Sequence, residues 1–370
     1  MFKTISESGS ARYGRLKTQH GTIETPFFMP VATKMGLKLL NSQDLKDIGI
    51  KAVISNALIL YLNPGLEFLK KAKGIHNFVN YNGIIFTDSG GFQMISDNLL
   101  VSINEEAVRF RSPFNRQIHK ITPEKDIRIQ NELNSDVAMC LDYMPRFENN
   151  YESIKESIKI TFEWAKRCKA SHENKKQLLF CINQGGTYKE LREKSASLLS
   201  SLDFDGYAIG GLGIGEGHDL LKRTVDMAVK KMPKYRPKYL MGIGTLNDII
   251  ESIGRGIDIF DSCYATRHAR HEMAFTYKGE IRLGKVKYEE DFNPIDKNCR
   301  CFTCKHYTKA YIHYLIKINE LSWKRLMTLH NVYFINNLLK EARTAIKEDN
   351  FKSFKNNFLK DYNVKKTSLQ

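Results

Sequence analysis

Gly83-Ile84-Ile85-Phe86-Thr87-Asp88 is a short, almost unbroken apolar run that stops on a carboxylate. A run of this length with no polar alternation reads as a strand buried on both faces, the habit of a parallel sheet. The same form recurs at 25–31, 52–56, 136–142, 177–184, 206–211, 238–242 and 256–261. Amphipathic stretches at 42–48, 151–171, 189–202, 219–231 and 246–255 separate most of these runs. Eight strands alternating with helices predict an α/β protein built as a (β/α)8 TIM barrel. A doubly wound open sheet competes, but no Gly-x-Gly-x-x-Gly turn follows an early strand.

A barrel of this kind carries its chemistry at the C-terminal ends of its strands. Asp88, Asp142, Gln184, Gly210-Gly211, Met241-Gly242 and Asp261 all fall there. The stretch at about 91–123 alternates apolar and polar residues (Val101-Ser102-Ile103-Asn104, then Ala107-Val108-Arg109-Phe110-Arg111), which predicts a β-ribbon inserted over the barrel mouth. The expected organisation is a catalytic barrel over 1–290 containing that insertion, followed by a zinc-binding helical subdomain over 291–370.

The second unit is announced by Cys299-Arg300-Cys301-Phe302-Thr303-Cys304, with His330 on a helical stretch further on. Three thiols within six residues would close strained rings as disulfides and leave one thiol over. One soft tetrahedral ion explains them better, and three sulfurs with one imidazole fill every position around Zn2+. Such a site clamps a loop onto a helix and leaves no place for substrate. His306 and His313 compete for the fourth position. His306 sits only two residues past Cys304, where the ring would strain, whereas His330 approaches from a separate helix and is favoured.

The chain has 57 basic residues against 41 acidic ones, a net charge of +16 over 370 residues. That surplus favours a polyanionic partner, most simply nucleic acid. No apolar run approaches the ~20 residues of a membrane span, and the first residues lack the apolar core of a signal peptide. Cys140, Cys168, Cys181 and Cys263 are scattered, which fits a reducing cytoplasm.

Two carboxylates flanking one centre can displace a group at a glycosidic carbon, one attacking and one handling protons. Asp88 precedes Ser89-Gly90-Gly91-Phe92-Gln93, whose paired glycines let a flat ligand approach the backbone. Asp142 can accept donors from a purine edge, and Gln184 and the Gly211 N–H can meet a carbonyl oxygen. Phe92 and Met241 can cover the two faces of a heterocycle. Asp261 ends the last run, and Arg267 and Arg270 follow it, suited to phosphate or base contacts. A zinc hydrolase on a barrel would need histidines at the strand ends, and none stands there.

These residues bring a family into view. The segments 20–31, Thr87-Asp88-Ser89-Gly90-Gly91-Phe92-Gln93, Gln184-Gly185-Gly186, 208–212, 239–244 and 256–261, with the Cys-x-Cys-x-x-Cys and its distal His, resemble the tRNA-guanine transglycosylases of the bacterial, catalytic type. The resemblance runs from about residue 10 to about residue 340. It implies exchange of the guanine at the tRNA wobble position for a 7-deazaguanine, in queuosine biosynthesis. It makes Asp261 the nucleophile of a covalent aspartyl-RNA intermediate and Asp88 the general acid/base. Asp142, Gln184, Gly211 and Leu212 become the purine-reading groups, and Phe92 and Met241 the pair that sandwiches the base. Arg267 and Arg270 would hold the anticodon loop, Cys299, Cys301, Cys304 and His330 the zinc ion, and the enzyme would pair as a homodimer.

Tyr143, Met144 and Gly213 depart from the pattern usual in bacterial members. They bear on the pocket around the 7-substituent of the incoming base, with preQ1 the first expectation and direct use of queuine the second. The glycine is expected to open room there by lacking a methyl. A DNA-directed exchanger and a non-catalytic RNA-binding subunit are the remaining readings; the second is disfavoured because both aspartates are present.

Overall fold

The computed structural model describes residues 1–94, 99–145 and 150–367, without the side chains of residues 92, 93 and 363–367. Strands β1 (Phe2–Ser8), β2 (Ala11–Thr18) and β3 (Gly21–Thr25) form an antiparallel sheet that the sequence reading did not anticipate. Next come β4 (Phe27–Pro30), β5 (Ala52–Asn56) and β6 (Ile84–Asp88). An inserted antiparallel ribbon follows: β7 (Leu100–Ile103), β8 (Val108–Arg111) and β9 (Ile118–Ile121), where one was expected. The parallel series then resumes with β10 (Val137–Met139), β11 (Leu178–Asn183), β12 (Gly206–Ile209), β13 (Lys238–Leu240) and β14 (Ile259–Ser262).

The eight parallel strands lie in the order β4-β14-β13-β12-β11-β10-β6-β5. A parallel bridge between Val31 and Ile54, with the Ala32 N–H donating to the Ile54 carbonyl at 2.7 Å, draws β4 to β5 and nearly closes the cylinder. Every one of the eight apolar runs is a strand, usually trimmed at its polar end where the chain leaves the ladder.

The reason for unbroken apolarity is visible in the packing. Met29, Ile54, Phe86, Met139, Phe180, Ile182, Tyr239 and Ile259 point into the cylinder. Phe86 meets Phe180 and Tyr239 edge-on at 5.8 and 6.2 Å. Their neighbours Val53, Ile85, Ala138, Cys181, Ile209, Leu240 and Phe260 face outward into the core shared with the helices. With both faces removed from water, alternation has no polar side to show.

At the N-terminal end of the cylinder, buried Asp136 gathers four donors. It accepts the amides of His20 (2.8 Å) and Ile85 (2.9 Å) and the rings of His20 (3.1 Å) and His76 (3.2 Å). Burial alone would raise this carboxyl, but His76 and the two amides pull it down to about 2. The two rings stack at 3.6 Å, and each offers a nitrogen to a different oxygen of the carboxylate. This is a hydrogen-bonded clasp that fastens the β2–β3 turn to the barrel floor.

After β14 come the helix Tyr264–Ala269 and the hairpin β15 (Met273–Thr276) and β16 (Gly279–Arg282). The helix Ser322–Lys347 then serves two cores. Its first turns place Trp323, Leu326 and Met327 against Ala269, Ala274, Ile281 and Ile312. Beyond them, Leu329 to Ile346 enter the barrel–helix core, and Arg343 donates to the Pro26 carbonyl at 2.7 Å.

Candidate active site and metal centre

β6 ends on Asp88 and β14 carries Asp261, while Asp142 and Gln184 stand just past β10 and β11. The parallel register therefore delivers all four side chains to one end of the cylinder. Asp261 accepts the Tyr239 hydroxyl at 2.5 Å and the Gly242 N–H at 2.9 Å. Burial raises the Asp261 carboxyl and these two donors draw it back. Asp88 has weaker support. Burial first, then the negative charges of Asp142 and Asp261, push it up to about 7, with the Gly90 and Ser89 amides opposing. Burial lifts Asp142 to about 6 against its bond from Gln184.

Three carboxyl groups close enough to perturb one another cannot all ionise cheaply. The donors differ between them: the bonds from Tyr239 and Gly242 favour the Asp261 anion against the burial that raises it, and Asp88 is poised to hold or release a proton near neutrality. An anionic nucleophile beside a proton carrier is the division of labour that displacement at a glycosidic carbon requires. Tyr239 was not foreseen, although a hydroxyl-tipped ring on the inward face of an apolar strand was the signal available.

The Gln184 Nε2 donates to the Asp142 Oδ2 at 2.6 Å, and its Oε1 is buried without a partner among the described residues. This amide lies flat on the Gly210-Gly211 backbone. A Cβ at Gly210 would stand 2.6 Å from Nε2, and one at Gly211, where φ is 68°, 2.7 Å from Oε1, so a side chain at either position would displace the Gln184 amide. The same point at Gly211 is 3.5 Å from the Met144 Cγ, which places Met144 on this wall. Leu212 is buried beside it, and Glu216 accepts the amides of Gly213 and Ile214, pinning the following turn. The glutamate escaped the sequence reading because its partners are backbone groups. The Gly213 expectation needs correcting. A methyl there would meet the Ile243 Cδ1 at 2.8 Å, and the backbone sits at φ 75°, which together account for glycine without reference to a ligand.

Met241 is half-buried and packs onto the inward-facing layer. The side chain of Phe92 lies outside the described residues. Arg267 is exposed on the helix Tyr264–Ala269, its Nη2 3.0 Å from the Cys263 Sγ. Arg270 has a buried Nη1 with no partner. Neither is paired with a carboxylate among the described residues, which leaves both guanidinium groups available to an anionic ligand.

Cys299, Cys301, Cys304 and His330 converge, with the His330 Nδ1 at 3.7, 3.5 and 3.3 Å from the three sulfurs in turn. A tetrahedral ion with metal–sulfur bonds of about 2.3 Å and a metal–nitrogen bond of about 2.05 Å sets that edge at roughly 3.6 Å. The cluster fits. The far ring nitrogen, Nε2, lies 2.7 Å from the Phe275 carbonyl, which holds its proton there and turns the Nδ1 lone pair toward the sulfurs. His313 bonds the Leu283 carbonyl at 2.8 Å instead, and His306 is exposed.

Comparison with known proteins agrees over nearly the full length. The family described as Queuine tRNA-ribosyltransferase matches residues 7–364. A protein of that name from Thermoanaerobacter sp. (strain X514) is 45% identical over 357 residues, covering 96% of this chain and 95% of its own. Another, from Staphylococcus haemolyticus, is 44% identical over 363 residues, covering 98% and 96%. A third, from Pelotomaculum thermopropionicum, is 43% identical over 356 residues, covering 96% of each.

Proposed function

The chain belongs to the queuine tRNA-ribosyltransferase family, and from that premise we propose that it exchanges the wobble guanine of tRNA for preQ1 through a covalent aspartyl-RNA intermediate. As a tRNA-guanine transglycosylase it is a pentosyltransferase, and the proposal assigns roles to its residues. Asp261 attacks the ribose anomeric carbon while the glycosidic bond to guanine breaks, and Asp88 gives its proton to the departing base. Asp88, now ionised, takes a proton from the incoming base, whose nitrogen attacks the same carbon and frees Asp261. Charge and atoms balance, and neither strand cleavage nor an energy donor is needed.

The observation that carries this reading is the meeting of Asp88 and Asp261 at one end of the barrel, both raised by burial, with Tyr239 and Gly242 donating to Asp261. Asp142, Gln184, Gly211 and Leu212 read the purine, with Phe92 and Met241 on its faces. Arg267, Arg270 and the basic surplus hold the anticodon loop, whose bases must be splayed out to enter a pocket. The ion at the cysteine cluster is zinc, with 291–370 its helical appendage to a 1–290 barrel. Tyr311, Tyr314, Ile318 and Leu321, which follow the cysteines in sequence, are exposed, which supports a homodimer joined in this region. Among the described residues no helix is long and apolar enough to cross a membrane, in keeping with a cytoplasmic enzyme.

Two measurements test this account. Undermodified tRNA and duplex DNA incubated in parallel with preQ1, preQ0 and queuine are expected to show incorporation of preQ1 into tRNA, read by mass spectrometry. Exclusive use of queuine, or incorporation into DNA, overturns the substrate assignment. Cys301→Ala is expected to reduce bound zinc from one equivalent to near none by elemental analysis, and to expose 284–320 to protease. Undiminished zinc in that variant would show the ligand set to be wrong.

A further inference from the structure

Arg192, on the helix Lys189–Ser200, is completely buried, yet among the described residues no carboxylate is hydrogen-bonded to its guanidinium. Its partners are oxygens of the polypeptide that surrounds the base-reading groups. The Nε donates to the Gly186 carbonyl at 2.6 Å. The Nη1 donates to the carbonyl and the side-chain oxygen of Asn183, at 2.8 and 3.1 Å. The Nη2 donates to the Gly210 carbonyl at 2.8 Å. Asn183 returns a bond from its amide to the Arg192 carbonyl at 3.1 Å. One side chain thus ties the end of β11, the turn after Gln184 and the end of β12 into one body.

A buried cation held only by neutral carbonyls is an expensive way to brace two loops, since an apolar or amide side chain would avoid its desolvation. Burial lowers the group to about 9, with Glu216 opposing, so it remains charged at neutral pH. What the charge adds is direction and polarisation. The peptide unit is planar and trans, so its C=O and N–H point in opposite senses. Anchoring the Gly210 carbonyl on Arg192 therefore fixes the Gly211 N–H and aims it away from the guanidinium that the carbonyl bonds. A charged donor on the carbonyl also strengthens the N–H of the same unit, because linked hydrogen bonds polarise one another.

We infer that Arg192 is a positioning residue for base recognition, holding and polarising the Gly211 N–H so that it bonds the six-position carbonyl oxygen of the purine. The inference rests on the proposed purine-reading role of Gly211. Arg192 never touches the base. Its effect is selective: it strengthens binding of an oxo-purine over one that lacks the oxygen.

The test compares guanine with 2-aminopurine as inhibitors of labelled-guanine exchange into tRNA, in the wild-type enzyme and in Arg192→Lys. In the wild type, guanine is expected to bind at least about 10-fold more tightly, as a site built to bond a polar group demands. In the variant the KM for guanine rises by about 10-fold or more, the worth of one charge-assisted bond, while 2-aminopurine binding changes little and kcat falls far less. If both bases weaken equally, Arg192 only holds up the fold and the inference fails. If the wild type does not distinguish the two bases, the purine-reading role of Gly211 fails first, and that result is recognisable before any variant is made. Should Arg192→Lys not fold, wild-type enzyme labelled with 15N-glycine gives the answer. The Gly211 amide resonance should move downfield with guanine and stay with 2-aminopurine; an unmoved resonance with guanine overturns the inference.

Discussion

Asp261→Asn is expected to abolish the covalent RNA adduct and to lower base exchange by about 10⁴-fold or more, the scale on which enzymes lose activity with their nucleophile. The amide keeps the shape of the side chain, and its oxygen can still accept the Tyr239 hydroxyl at the position that now stands 2.5 Å away. What it lacks is the electron pair that the proposed mechanism has the carboxylate deliver to carbon. Tyr239 and the Gly242 amide favour the anion and oppose the burial that raises this carboxyl. The experiment is a denaturing gel of tRNA with enzyme and a guanine analogue, in which the adduct band should vanish. A persisting band would move the nucleophile to another carboxylate, and Asp142 would be the first to examine.

Asp88→Asn is expected to reduce turnover by about 10²–10⁴-fold, the usual worth of positioned proton transfer. It should also change the pH profile. Guanine departure needs Asp88 protonated, so single-turnover release in the wild type should fall as pH rises past about 7. The variant should lack that limb. Stability should move the other way. The native carboxyl, at about 7, binds a proton that the unfolded chain, near 3.8, has already lost. Native structure is therefore penalised progressively as pH climbs between those values, and most fully above the upper one. Removing the titration should stabilise the protein by about 1–3 kcal/mol at pH 8 and hardly at all near pH 4. Denaturant melts at the two pH values measure the difference. A variant no more stable than wild type at pH 8 would mean that burial and the neighbouring carboxylates do not strain Asp88.

The barrel was legible in the sequence because burial on two faces writes a simple signature. Ile85 turns outward and Phe86 inward, and neither position admits a polar residue. The aspartates and Gln184 were legible because each interrupts such a run at its end. The first sheet was not, since β1 alternates between half-buried and exposed residues and looks like a polar loop. Arg192 was equally hidden. On an amphipathic helix it passes for a solvent-facing base, and only the folded positions of Asn183, Gly186 and Gly210 give it partners. Tyr239, Glu216 and the Asp136 clasp share this property. The partners of Tyr239 and Asp136 are distant in sequence, and those of Glu216 are backbone amides, so residue spacing does not single out these roles. Gly213 failed in the opposite direction, a glycine with a conformational reason taken for a gap beside a ligand.

His330 and Asn331 are consecutive residues of the helix that runs from the cysteine cluster into the barrel. The Asn331 amide donates to the carbonyls of Ala265 and Met273, at 3.1 and 2.9 Å, and its oxygen accepts the Phe275 N–H at 3.1 Å. Ala265 opens the turn that carries Arg267. If the proposed metal and RNA roles hold, loss of the ion would reach the RNA-facing helix through a single peptide link, and the supply of a trace element would be written into how codons are read.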